Sequence, residues 1–145
     1  MSTTPTGPNQ EGASRRRRRS SDPYFALWSL CTSNAERPGV LSATVIDDYF
    51  NIIASAGNAD LAGLAVWNAR TVAGDEQLQK RVQQQAKSFI GPDGEDVKVT
   101  RRYAFVSPQR DAFQFIVISD SAVEAESIAE SGVAAVHRIL QEQQD

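Results

Sequence analysis

Five consecutive arginines, Arg15, Arg16, Arg17, Arg18 and Arg19, are the most chemically pointed feature of this 145-residue sequence. Guanidinium groups in a row can each contact a phosphate and release a counterion, which gives affinity without sequence choice. Arginine suits that role better than lysine, because its planar fork binds phosphate oxygens in pairs and stacks on bases. The same run also fits a nuclear localisation signal. Ser20 and Ser21 follow it directly, where phosphorylation would cancel part of the charge. Serine is common in such tails, and its presence alone does not imply modification.

A second basic group lies far downstream. Arg101, Arg102 and Arg110 interleave with Tyr103 and Phe105, the combination of charge and stacking platforms that holds single-stranded nucleic acid. The competing reading makes the aromatics core and the arginines a solvated edge. Together with Arg15–Arg19, these three complete the expected nucleic-acid-binding set.

Catalytic apparatus is not apparent. His137 is the sole histidine and Cys31 the sole cysteine. Cys31, beside Trp28 and Leu30, reads as a buried thiol with no base nearby in sequence. Asp47-Asp48 and Glu124/Glu126 are paired acids without the remaining ligands of a metal site. Glycine-rich phosphate loops and the GxSxG pattern are absent. The expectation is a protein that is not an enzyme and needs no metal or cofactor.

The elements that must carry these residues fall into two unlike parts. Residues 1–21 contain five arginines against one acid, Glu11, and no Leu, Ile, Val, Phe, Tyr or Trp. A segment with nothing to bury cannot offset the entropy of ordering its backbone, so a disordered arginine-rich arm is expected there. The remaining 10 basic and 17 acidic residues make residues 22–145 an acidic body, expected to form one globular α+β domain. No apolar run approaches the roughly 20 residues of a membrane span, so no membrane partner is expected. The apolar stretch Tyr24–Cys31 is short for a secretory leader and has Asp22-Pro23 before it.

Along the body, Asp22-Pro23 marks a helix start, with an N-cap acid before a first-turn proline. Val45, Ile46, Tyr49, Phe50 and Ile53 share one face at helical spacing, which predicts a second helix from Ser42 to Gly57. A third follows Asn58–Asp60, and a fourth runs from Asp75 to Ile90. After Gly91-Pro92-Asp93-Gly94 the period changes to two. Residues 97–106 and 113–118, joined by a turn at 107–111, predict an antiparallel hairpin. A last helix opens with the capping box Ser121–Glu124 and reaches about Gln141, its small residues Ala125, Ala129 and Gly132 suiting close packing. The fold class is therefore α+β: about four N-terminal helices, a β-hairpin and a C-terminal helix.

Both faces of the second strand are apolar: Phe113, Phe115 and Val117 on one, Ile116 and Ile118 on the other. Helices of the same chain could cover both. Alternatively, a second copy pairs with the hairpin through Ile116 and Ile118, which removes two open edges of a marginal ribbon. The functional expectation follows the second option. It is a structural protein of coat or nucleocapsid type, whose arm binds nucleic acid, RNA before DNA, and whose body forms at least a dimer. An intracellular place, cytoplasmic or nuclear, or a virion goes with it. The alternative is a small protein-interaction adaptor whose arginine run is a nuclear localisation signal.

Overall fold

A computed structural model describes residues 22–144, with side chains to residue 142. The expected arm, Arg15–Arg19 included, lies outside the described residues. Helix α1 spans Pro23–Ala35. Its start is as expected: Pro23 occupies the first turn, and the Asp22 carboxylate accepts from Phe25 N at 3.2 Å. Strands β1 (Val40–Ile46) and β2 (Ile52–Gly57) follow, then helices α2 (Ala59–Ala69) and α3 (Asp75–Ile90). A 3-10 segment, Gly91–Asp96, leads into β3 (Lys98–Val106), β4 (Asp111–Ser119) and helix α4 (Ala125–Gln144).

The four strands form one antiparallel sheet in the order β2-β1-β4-β3. Strand alternation sends neighbouring residues to opposite faces, and each face is apolar. Ile46, Val97, Val99, Ile116 and Ile118 lie under α2 and α3, against Leu61, Ala65, Leu78 and Val82. Ala43, Val45, Ala104, Phe115 and Val117 lie under α1 and α4, against Leu27, Cys31, Ala129 and Val136. The molecule is thus a sheet between two helix pairs.

Three expectations are corrected here. The segment expected as a helix from Ser42 to Gly57 is the β1–β2 hairpin. It turns at Asp47–Asn51, where Phe50 takes a left-handed backbone (φ 63°). The Asp47 carboxylate holds that turn, accepting from Tyr49 N and Asn51 N at 2.9 Å each. The second correction concerns Ile116 and Ile118. They are 1% and 0% exposed beneath α2 and α3, because β1 pairs with β4 and completes a sheet within one chain. The hairpin has neither the open β4 edge nor the outward isoleucines that an interface through them requires. The last helix also begins later than its capping box suggests. Residues 121–123 form a turn in which Asp120 accepts from Ala122 N at 3.0 Å.

Candidate interaction surface

One end of the sheet gathers the β1–β2 turn, the start of β4, the N-terminus of α1 and the late turns of α4. Between them is a cleft of about 360 Å³. Its base is apolar, from Leu27, Ile53, Phe113 and Leu140. Tyr24 and Tyr49 stand at its rim, 63% and 82% exposed. Asp47, Asp48 and Asp111 also line it, and no lining residue is cationic. Burial tends to raise the Asp47 carboxyl, but hydrogen bonds from Asn51 and Tyr49 outweigh it and hold the group below its ordinary value. Asp47 is therefore an ionised turn-former, the reverse of a general acid.

The aromatic character continues outward along α1. Leu27 and Cys31 point into the core, while Phe25 and Trp28 remain 47% and 52% exposed with ring centroids 6.1 Å apart. Helix α1 is apolar all round because its inner side packs on β1 and β2 and its outer side carries aromatic rings to solvent.

The expected basic surface on the hairpin is taken apart by the strand geometry. Arg101 is 5% exposed; its Nε donates to Asp75 Oδ1 at 2.7 Å. Arg102, on the opposite face, donates to Glu130 Oε1 at 2.8 Å and lies 3.7 Å from Glu126. Arg110, at the turn, sits 5.1 Å over the Phe105 ring, which stacks on Tyr103 at 6.3 Å. Two of the three arginines are thus neutralised by carboxylates and face different sides. His137 is exposed on α4. Cys31 is buried, as expected, and burial pushes its thiol up to about 12. Among the described residues no cluster of metal-ligating side chains occurs, and no helix is long and apolar enough to cross a membrane.

The class these features define is an α+β sheet protein with two helices on each face and an aromatic, acidic cleft at one end. No protein-family model matches the chain, and no curated protein matches it. Among solved structures it is similar to MglB of Myxococcus xanthus, at 12% identity over 83% of this chain and 91% of that one, with a TM-score of 0.49. The nucleocapsid expectation, with its RNA-binding and virion corollaries, is corrected by the geometry of the folded body. The isoleucines expected to face outward are core, and Arg101 and Arg102 are paired with acids.

Proposed function

We propose that the chain is a small protein-interaction adaptor, with the Arg15–Arg19 run acting as a nuclear localisation signal. The observation that carries the first part is the exposure of Tyr24, Phe25, Trp28 and Tyr49 around one end of the sheet. Large aromatic side chains left in water cost solvation free energy, and they are the residue types that dominate binding energy at protein interfaces. Tyrosine and tryptophan supply broad contact area with few rotatable bonds, so little entropy is lost when a partner covers them. The acidic rim adds a preference for partners with basic surfaces. Asp47, at the same end of the molecule, is committed to holding the β1–β2 turn.

Photo-crosslinking in cells tests the reading, with the full chain compared with Phe25→Ser/Trp28→Ser and with Tyr49→Ser. Partners captured by the wild type should be lost from both variants while thermal unfolding is unchanged. An unchanged capture pattern overturns the surface. Replacing Arg15–Arg19 with serine should redistribute a fluorescent fusion.

A further inference from the structure

The cleft combines carboxylates with aromatic faces, which is the chemistry that receives a guanidinium: ion pairing at the rim and cation–π contact on the walls. Asp47 is occupied by its own turn. Asp48 and Asp111 are exposed, and among the described residues neither forms an ion pair. We propose that this cleft is the docking site of the chain's own Arg15–Arg19 segment. The inference rests on reading that end of the molecule as a binding surface.

Two observations choose this occupant over a foreign basic peptide. The first is charge: five cations in the segment face a cleft lined by three carboxylates and no cation. The second is the tether. Pro23 is itself a wall of the cleft, and the four residues back to Arg19 span at most about 14 Å when extended. A segment held that close experiences an effective concentration on the order of millimolar. A competing depression carries Asp93, Asp96 and Asp120 but no aromatic wall. It lies at the far end of β4, about 26 Å along the strand from Asp111. Guanidinium docking relies on charge and ring faces instead of on burying aliphatic groups, so a segment without apolar residues is suited to it.

The test uses the full-length chain and an acetylated pentaarginine peptide as the probe, with binding followed by calorimetry and amide NMR. Four forms are compared: the unaltered chain, a form with Arg15–Arg19 replaced by serine, and that form carrying either Asp48→Asn/Asp111→Asn or Asp93→Asn/Asp96→Asn. The last two have equal net charge, which removes general electrostatics from the comparison. The serine form should bind the peptide about tenfold more tightly than the unaltered chain, which must first release its own segment. The gap should narrow at high salt. Asp48→Asn/Asp111→Asn should abolish that binding and Asp93→Asn/Asp96→Asn should preserve it, with native amide spectra throughout. Equal affinity in the unaltered and serine forms overturns the proposal, as does equal loss in the two asparagine pairs. A gap that grows with protein concentration overturns it in favour of an arm donated by a second copy. Partner capture is read separately: loss of capture from the Trp28 and Tyr49 variants alongside negative peptide results leaves the surface reading intact and removes the arm docking alone.

Discussion

Arg101 and Asp75, 26 residues apart, are joined by a 2.7 Å hydrogen bond that ties edge strand β3 to the first turn of α3. The Arg101 side chain is 4% exposed, that of Asp75 67%. Removing the carboxylate leaves a buried guanidinium with only long contacts, to Ala73 O at 3.4 Å and Gln114 Oε1 at 3.5 Å. Asp75→Ala should therefore destabilise the fold by about 1–3 kcal/mol, below the cost of breaking a fully buried pair because Asp75 is itself well solvated. Arg101→Met, which removes the buried charge and keeps much of the volume, should cost less. Urea denaturation of both variants checks the order; a neutral Asp75→Ala would mean the pair adds no stability.

Much of the second half of the fold was legible. The change from helical to alternating period at Gly91–Gly94 located the β3–β4 hairpin, and α3 has the bounds its pattern predicts. The β1–β2 hairpin was not legible, because Val45, Ile46, Tyr49, Phe50 and Ile53 satisfy helical spacing although they are divided among β1, the turn and β2. Its turn contains no glycine or proline. A phenylalanine, Phe50, takes the left-handed conformation instead, held by Asp47, so the usual punctuation is missing. That one misreading left β4 without its β1 neighbour and turned Ile116 and Ile118 outward. The cleft was hidden for a different reason. Its walls come from residues 23–27, 47–53, 111–113 and 140, which no local pattern brings together. The rings of α1 read as core because a helix apolar all round does not reveal which side faces solvent.

Asp47 should show itself in acid. Hydrogen bonds from the turn hold its folded pKa below the unfolded value near 3.8. Its contribution is therefore present above that value and is lost as pH falls through the folded one. Asp47→Asn keeps an acceptor but removes the titration, so its stability should vary less with pH between about 2 and 5. Asp47→Ala removes the acceptor, and amide exchange at Tyr49 and Asn51 should accelerate while the β3–β4 hairpin is unaffected. Exchange rates unchanged at both amides would show that the carboxylate does not hold the turn.

Cys31 should be silent until the fold opens. Burial dominates its environment and raises the thiol from 9.0 to about 12, with a hydrogen bond at the Val45 backbone acting the other way. The thiolate is the reactive form, so a disulfide reagent at pH 8 should label the native chain only at the rate of unfolding. The linkage has a definite sign. The folded state retains a proton that the unfolded state releases, so stability is intact below about pH 9 and declines as pH rises towards 12. Cys31→Ala should flatten that alkaline decline. Rapid labelling of the native protein would place the sulfur at the surface.

Gly132 and Gly63 should respond oppositely to the same substitution. Alanine normally improves a helix interior by about 0.8–1 kcal/mol over glycine. At Gly63, on the exposed side of α2, an added methyl meets nothing within 4 Å, so Gly63→Ala should raise stability by about that amount. At Gly132, in α4, the same methyl collides with the Phe115 ring. Phe115 is 0% exposed in the core beneath α1 and α4 and has little room to withdraw. Overpacking of this kind costs about 1–3 kcal/mol, enough to cancel or reverse the helical gain. Gly132→Ala should then lower the melting temperature, by about 4 °C for each net kcal/mol in a domain of this size. Combining it with Phe115→Leu should recover part of the loss, because the smaller side chain frees the space the methyl needs. Additive losses in the double variant would mean that Phe115 is not what limits the approach of α4 to the sheet.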